Sequence, residues 1–406
     1  MSSSRTAPPE RMPANERAEP LPLAALLALA MTGFICIVTE TLPAGLLPQI
    51  VEGLGVSPSL AGQMVTLYAL GSLLAAIPLT IATRRWRRRT VLLATIVGFL
   101  VFNTLTALSS SYALTLVARF FAGASAGLAW ALLAGYARRM VPSHQQGRAM
   151  AVAMVGAPVA LSLGVPLGTW MGALLGWRTT FGLMSLLSLL LIGWVVAKVP
   201  DYPGQASDAQ AMPLRQVLTT PGVRPVLGVV LAWMLAHNLL YTYVAPFVAP
   251  SGLGDAVDVV LLVFGAAALL GIWITGRVVD RHLRLSVLAS LGVFALVTLL
   301  FGLFASLPLM IFVGVGIWGA TFGGAATLLQ TALADTAGEG ADVALSMNVV
   351  TWNSAIAGAG VLGGVLLGSL GVGSLPWVAL VLVVIGFAIA AGARGRGFPA
   401  RRAVRR

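Results

Sequence analysis

Charged side chains are scarce in this sequence. Only 9% of its 406 residues are Asp, Glu, Lys or Arg, whereas 58% are hydrophobic. A soluble domain carries roughly 25% charged residues, because its surface must face water. This composition excludes a soluble globular protein of this size and predicts that most of the apolar surface faces lipid.

Cysteine and the familiar catalytic motifs are also missing or nearly so. Cys36 is the single cysteine, which excludes an intramolecular disulfide and a thiolate metal cluster. The sequence contains no Gly-rich phosphate loop ending in Lys-Ser or Lys-Thr, which argues against an ATP-driven pump, and it contains no HExxH motif. We therefore expect neither an enzyme nor a protein that holds a metal or another cofactor.

The basic residues are placed for a membrane rather than for nucleic acid. The net charge is +12, but Lys and Arg lie in short spacers between apolar runs instead of along one face of a domain. We therefore expect the lipid bilayer and a small molecule as partners, and no nucleic acid.

Twelve apolar runs are long enough to cross a bilayer. A helix needs about 20 apolar residues to span the hydrocarbon core. Such runs lie near 22–47, 58–82, 90–108, 113–137, 149–175, 179–198, 222–249, 256–276, 286–305, 308–334, 342–370 and 375–393. The sequence therefore predicts an all-α integral membrane protein with twelve transmembrane helices.

The distribution of positive charge predicts the topology. Lys and Arg near the ends of spans stay in the cytoplasm. With the N-terminus inside, all but two of the 25 basic residues fall on the cytoplasmic side, the exceptions being Arg119 and Arg178. This pattern predicts that both termini are cytoplasmic.

The chain divides into two similar halves. The run GVPLG at 164–168 matches GVLGG at 360–364, and the same offset of 196 residues takes Gly123 to Gly319. Two parallel six-helix halves are typical of one large transporter class. We expect a monomer with a disordered cytoplasmic tail at 1–20, pseudo-symmetric six-helix bundles at 21–198 and 222–393, a cytoplasmic linker at 199–221 and a basic cytoplasmic tail at 394–406.

Two charged residues inside the predicted spans are candidates for the mechanism. Glu40 is the only acidic residue well inside a span. A carboxyl group in hydrocarbon is costly unless it faces a cavity or takes up a proton, so Glu40 is predicted to bind a proton or the substrate. The alternative is packing in a helix that Pro43 and Pro48 interrupt. Arg119 either biases this proton site or anchors the fold near the outer interface.

Further polar and aromatic residues are candidates for lining a substrate cavity. At an offset of 197, Glu40 falls on His237, so the two residues are predicted to face each other across the pseudo-two-fold axis. Hydrogen bonding between helices is the alternative role for such polar groups. The candidate substrate-binding residues are Glu40, His237, Asn238, Tyr241, Asn348, Trp352 and Asn353.

Two local motifs resemble a known transporter family. They are the run TETLPAGLLP at 39–48 in the first span, and AGQ at 61–63 leading to YALG at 68–71 in the second. Both are similar to signatures of the twelve-span drug:proton antiporter branch of the major facilitator superfamily, near the bacterial sugar-efflux and chloramphenicol-resistance exporters. The resemblance covers residues 21–393 and implies a location in the bacterial inner membrane.

The resemblance also implies two gating motifs on the cytoplasmic side. The first is altered, because Thr83 stands where an Asp is expected and Trp86 lies near the usual Gly, although Arg84 and Arg88 keep the basic character. Thr83 is still able to cap a helix N-terminus as a neutral acceptor. The second copy keeps the pattern with Gly276, Asp280 and Arg281.

The resemblance assigns proton transfer and the direction of transport. Arg119 with Gly123 matches the fourth-span signature associated with proton transfer, so proton coupling is expected at Glu40 and Arg119. Gly164, Pro166 and Gly168 match the fifth-span antiporter motif, which is associated with exporters. We therefore expect proton-coupled efflux of a small organic molecule, such as a drug or sugar, by alternating access. The alternatives are a proton-coupled importer of a sugar, nucleoside or similar metabolite, and a non-transporting membrane sensor.

Overall fold

The computed structural model of the protein describes residues 20–142, 145–204 and 213–398, without the side chains of residues 147, 280, 339 and 342. Nearly all of the predicted N-terminal tail, the middle of the predicted linker and the last part of the basic tail therefore lie outside the described residues.

Twelve long apolar helices make up the described chain, which contains no strand. The all-α fold with twelve membrane spans is thus confirmed. The helices are α1 (Leu23–Gly45), α2 (Pro58–Thr83), α3 (Arg88–Leu108), α4 (Tyr112–Arg139), α5 (Arg148–Leu175), α6 (Trp177–Lys198), α7 (Val223–Thr242), α8 (Gly254–Val279), α9 (Arg281–Phe304), α10 (Pro308–Ala337), α11 (Val343–Ser369) and α12 (Val372–Gly392).

Short polar or glycine-containing turns separate neighbouring helices. Ser111 caps α4 by accepting a hydrogen bond from the backbone N–H of Leu114, and Gly176 turns the chain between α5 and α6 at a φ of 86° that only glycine adopts readily. Between α8 and α9 the helical path is broken only at His282, which has a φ of −132° and a ψ of 34°. These turns leave almost every apolar residue inside a span.

The contacts between helices repeat from one half of the chain to the other. In the first half α2 packs on α4, and α3 on α6; in the second half α8 packs on α10, and α9 on α12. The repeat extends to single residues, because Gly123 meets the backbone of Tyr68 as Gly319 meets that of Phe264. Both members of the second pair lie 196 residues after those of the first. Two pseudo-symmetric six-helix bundles, predicted from the glycine pattern, are therefore present.

The two bundles meet along α2 and α11, and along α5 and α8. Because twelve crossings return the chain to its starting side, Leu23 and Gly392 lie on one side of the molecule, the terminal side; the opposite side is the distal side. Side-chain contacts between α2 and α11 run from Ser59 beside Gly364 to Leu70 beside Trp352. These contacts lie in the distal half of α2.

Candidate substrate and proton site

Glu40 lies near the distal end of α1 and is almost fully buried, with 8% of its surface exposed. Its carboxyl group makes no hydrogen bond and no ion pair with any residue that the structure describes. It interacts electrostatically with Arg119 of α4, Tyr68 of α2 and Tyr241 of α7. A buried carboxyl without a partner is a poor structural element, which favours a role in binding a proton or a ligand.

Arg119 is completely buried and ties three helices of the first bundle together. Its Nη2 donates to the backbone carbonyl of Glu40 at 3.3 Å, and its Nε donates to the carbonyl of Met64 at 3.2 Å. The guanidinium also lies over the ring of Tyr68, 4.8 Å from its centroid, and 5.5 Å from that of Phe181. Its Nη1 has no hydrogen-bond partner. One donor of this buried cation therefore remains available.

Five side chains of the second bundle form a group that we call the aromatic cluster. Its members are His237 and Tyr241 of α7, Phe264 of α8, and Trp318 and Phe322 of α10. The imidazole of His237 stacks on the ring of Phe322, with centroids 3.4 Å apart and planes inclined by 8°. The centroid of His237 lies 5.3 Å from those of Tyr241 and Trp318, and 5.7 Å from that of Phe264.

No hydrogen bond or ion pair joins His237 to Glu40 within the described chain, and the imidazole stacks in the aromatic cluster. Tyr241, one helical turn further along α7, interacts electrostatically with Glu40. The predicted pairing of His237 with Glu40 stays a prediction.

The remaining candidate residues differ in how their polar groups are satisfied. Asn238 and Asn353 donate to carbonyls of their own helices, at 2.8 Å to Met234 and 2.9 Å to Val349. Asn348 is buried and its Oδ1 has no partner. Trp352, one turn after Asn348 on α11, lies 6.4 Å from the ring of Phe322. Trp352 therefore extends the aromatic cluster, and Asn348 lies one helical turn before it on α11. Asn238 and Asn353 instead use their donors within their own helices.

Sequence reasoning missed three members of this site, namely Phe264, Trp318 and Phe322. Aromatic residues in an apolar span are ordinary, so their composition gives no signal. The repeat offers one for Phe264, because the offset of 196 residues places Tyr68, which contacts Arg119, on Phe264.

The residues of the predicted antiporter motif pack against the helix that carries Glu40. A Cβ atom at Gly164 would come within 2.6 Å of a methyl group of Val38, and one at Gly168 within 2.6 Å of a methyl group of Leu42. Just before this pair and up to its first glycine, α5 widens into a π-helical turn at Ala160–Gly164, followed by Pro166 at the second position of the next helical segment. The motif thus sets the distance between α5 and α1.

The first predicted gating motif is engaged within its own bundle. The hydroxyl of Thr83 donates to the carbonyl of Leu79 at 2.7 Å, and it caps no helix of the other bundle in the described chain. The Arg88 guanidinium donates to the carbonyl of Arg84. An acid does reach this loop, because Asp201 pairs with Arg87.

The second gating motif lies where α8 runs into α9. Gly276 has open space around its Cα, and none of the described contacts ties Arg281 to the first bundle. The side chain of Asp280 lies outside the described part of the chain.

The distal contact between the bundles centres on the carbonyl of Gly360 in α11. It accepts a hydrogen bond from Nε2 of Gln63 in the first bundle at 3.1 Å and one from the hydroxyl of Tyr243 in its own bundle at 2.7 Å. The Tyr243 ring lies between Gly62 of α2 and Gly363 of α11, where a Cβ at either glycine would overlap it. These residues, which we call the distal gate, close the distal side.

Comparisons with known proteins place the chain in a family. Residues 29–358 match the model of the Major Facilitator Superfamily. The purine ribonucleoside efflux pump NepI of Escherichia coli strain 536 is 30% identical over 320 residues, which are 77% of this chain and 80% of the pump. NepI of Escherichia coli strain K12 is 29% identical over the same length.

The fold is also found in a solved transporter. The crystal structure of a bacterial homologue of the human lysosomal transporter Spinster, in an inward-facing and unoccupied conformation, aligns with a TM-score of 0.70 at 13% identity. The alignment covers 95% of this chain and 100% of that protein. The fold, the repeat and the sequence comparisons agree, and the chain belongs to the Major Facilitator Superfamily of membrane transporters.

Proposed function

We propose that this transporter exports a small organic solute of the purine ribonucleoside class in exchange for protons, by alternating access. The choice of solute rests on relatives at about 30% identity that are named as purine ribonucleoside efflux pumps. These relatives favour a nucleoside over the drug or sugar that the first motifs imply.

Glu40 carries the proposal of proton coupling. It is a buried carboxyl group that lacks any described hydrogen-bond partner and interacts with groups of both bundles. A group at this position senses the opening and closing of the cavity, because rocking of the bundles changes its surroundings. Protonation from the distal side and release on the terminal side, in competition with substrate, would couple proton entry to solute exit.

Arg119 supports the same cycle. Its bonds to the Glu40 and Met64 carbonyls hold the cation beside the carboxyl group. The unpartnered Nη1 is able to receive the carboxylate once the proton leaves.

The proposed orientation follows from the basic residues. Among the described residues, all of them except Arg119 and Arg178 lie on the terminal side, which we assign to the cytoplasm of a bacterial cell, with the protein acting as a monomer in the inner membrane. Residues 21–198 and 222–393 would be the moving bundles, and 199–221 the cytoplasmic linker between them. The distal gate then faces the periplasm, and its closed state fits a conformation that loads substrate from the cytoplasm.

Transport into inside-out vesicles tests this function. Vesicles with an acidic interior should accumulate radiolabelled inosine, and inosine should accelerate the decay of the pH gradient reported by an acridine dye. Glu40→Gln should abolish both responses. Glu52→Gln, which changes an exposed acid in the short helix Leu47–Leu54 that follows α1, is the matched control and should transport normally. Uptake that is insensitive to the pH gradient or to Glu40→Gln would reject proton coupling, and uptake into intact cells instead of vesicles would reject export.

A further inference from the structure

The aromatic cluster contains polar atoms that a purely apolar core would not leave unsatisfied. Burial of an unpartnered donor or acceptor costs free energy, so such groups are rare in native structures. Nδ1 of His237, the hydroxyl oxygen of Tyr241 and Nε1 of Trp318 are all buried and all lack partners, although their rings touch one another. Oδ1 of Asn348, on α11, is also buried and has no partner in the described chain.

In the equivalent region of the first bundle, most polar groups beside the rings have hydrogen-bond partners. There the hydroxyl of Tyr68, the residue that corresponds to Phe264, donates to the carbonyl of Cys36 at 2.8 Å. Two of the three Arg119 guanidinium nitrogens are likewise bonded to carbonyls. The second bundle differs in that three unpartnered polar atoms, those of His237, Tyr241 and Trp318, belong to rings that contact one another. This grouping favours a ligand site in the second bundle.

The geometry indicates the chemistry of that ligand. A flat nitrogen heterocycle, the imidazole of His237, already lies parallel to the Phe322 ring at 3.4 Å. The free groups comprise two donors, the Trp318 N–H and the Tyr241 hydroxyl, and one pure acceptor, the carbonyl oxygen of Asn348. Purine bases present the complementary set: a π face for stacking, ring-nitrogen and exocyclic-oxygen acceptors, and N–H donors. A free sugar has no such face.

We propose that the aromatic cluster binds the base of the transported nucleoside, by stacking of the base against Phe322 and by hydrogen bonds that the Trp318 N–H and the Tyr241 hydroxyl donate to the base. This assignment rests on the proposed function for the identity of the solute. Tyr241 also interacts with Glu40 across the bundle interface, so a base bound here lies next to the proton site. The base is thereby the part of the substrate that competes with the proton.

Binding to the purified, full-length protein in lipid nanodiscs tests the assignment. The probes are tritiated inosine, displaced by unlabelled inosine, hypoxanthine or ribose. Hypoxanthine should displace inosine and ribose should not. Displacement by ribose without displacement by hypoxanthine would overturn the assignment.

Three substitutions test the residues. Tyr241→Phe removes one unpartnered donor while keeping the ring, Trp318→Phe removes the other together with the five-membered part of the indole, and each should raise the Kd for inosine about five- to tenfold. Phe322→Leu removes the stacking face and should raise the Kd about tenfold or more. Trp273→Phe and Phe304→Leu change exposed residues of α8 and α9, and both should leave the Kd unchanged.

The Tyr241→Phe substitution separates ligand binding from a packing role. Because the Tyr241 hydroxyl bonds to no group in the described chain, its removal should leave the melting temperature of the free protein unchanged or slightly raised. A lower melting temperature with an unchanged Kd would overturn the assignment and identify a structural cluster. Failure of the wild-type protein to bind inosine or hypoxanthine would reject the nucleoside function itself, whereas normal inosine binding by all three variants rejects only the base-binding role.

Discussion

Arg119 contacts Glu40 through the backbone: its Nη2 donates to the Glu40 carbonyl at 3.3 Å, and no ion pair joins the two side chains in the described structure. Because the arginine is anchored to main-chain atoms, its position does not depend on whether the carboxyl group carries a proton. The cation therefore acts as a fixed charge beside a group that is free to change its protonation state.

Arg119→Lys should keep the charge and lose this anchoring. An ammonium group cannot bridge the carbonyls of Glu40 and Met64 in the way the planar guanidinium does, so it will be free to reach the Glu40 carboxylate. We expect lower stability, by about 1–3 kcal/mol for the lost interhelical bonds, and a loss of proton-coupled transport. Thermal unfolding in detergent and the vesicle assay measure the two effects.

The control for this substitution is Arg148→Lys, which makes the same change at an exposed residue at the start of α5. It should leave both stability and transport unchanged. Full proton-coupled transport by the Arg119→Lys protein would show that the backbone anchoring is dispensable.

The antiporter motif should be sensitive to volume at Gly164. A methyl group there would collide with Val38 and Phe34 of α1, the helix that carries Glu40. We expect Gly164→Ala to destabilise the protein by about 1–3 kcal/mol, as overpacking does elsewhere, and to slow transport by displacing α1. Gly193→Ala in α6, where nothing lies within 4 Å of the added methyl group, should be neutral or slightly stabilising. Equal behaviour of the two variants in thermal unfolding and transport would contradict the packing argument.

The spans and the repeat were predictable because they depend on composition and spacing alone. Hydropathy located all twelve helices, and the offset that relates Gly123 to Gly319 corresponds to a real pair of close helix contacts. The site was only partly predictable. Glu40 and Arg119 stood out as charges in apolar spans, whereas Trp318 and Phe322 are apolar residues in apolar helices.

Contacts that depend on main-chain atoms or on the linker could not be predicted from the sequence. The hydrogen bonds of the distal gate are accepted by the backbone carbonyl of Gly360, and a residue of any type has such a carbonyl. The partner of the basic loop after α2 is Asp201, far along the chain and outside every span. Neither position follows from periodicity, because both arise from how the helices are arranged in space.

The distal gate should open when Tyr243 loses its place between the bundles. An added methyl group at Gly62 would overlap the Tyr243 ring, and Tyr243→Phe removes the 2.7 Å hydrogen bond by which Gly360 of the same bundle holds this ring in place. We expect both changes to shift the population towards a distal-open state. Spin labels at Glu52 and Ser369, two exposed distal positions on opposite bundles, should report longer distances in both variants. Gly368→Ala, where the new methyl group meets nothing within 4 Å, should match the wild-type distribution, and a wild-type distribution for Gly62→Ala would rule out this gate.

Asp201 should make the stability of the terminal-side loops depend on pH. Its carboxylate pairs with Arg87 and accepts a hydrogen bond from the backbone N–H of Arg89 at 3.1 Å, which caps the start of α3. The Arg88 N–H also donates to the carbonyl of Tyr202 at 2.9 Å, so residues 201–202 are fastened to the loop after α2. Thr83, which replaces the expected acid of that loop, makes no such contact.

The sign of this pH dependence follows from the pKa of Asp201. Partial burial opposes ionisation, but the hydrogen bonds from Arg87 and the Arg89 N–H, with the charges of both arginines, outweigh it and hold the pKa of Asp201 below its ordinary value. A group with a lowered pKa in the folded state contributes stability that is present above its unfolded value, about 3.9, and lost as the pH falls through the folded value. Asp201→Asn should therefore lower the melting temperature at pH 7, and the difference from wild type should shrink as the pH falls below ~3.9 and vanish once the pH lies below the folded-state pKa. Asp255→Asn, at the start of α8, is the matched control and should unfold like the wild type throughout. A difference between Asp201→Asn and wild type that is the same at every pH would assign the loss to packing rather than to the charge of Asp201.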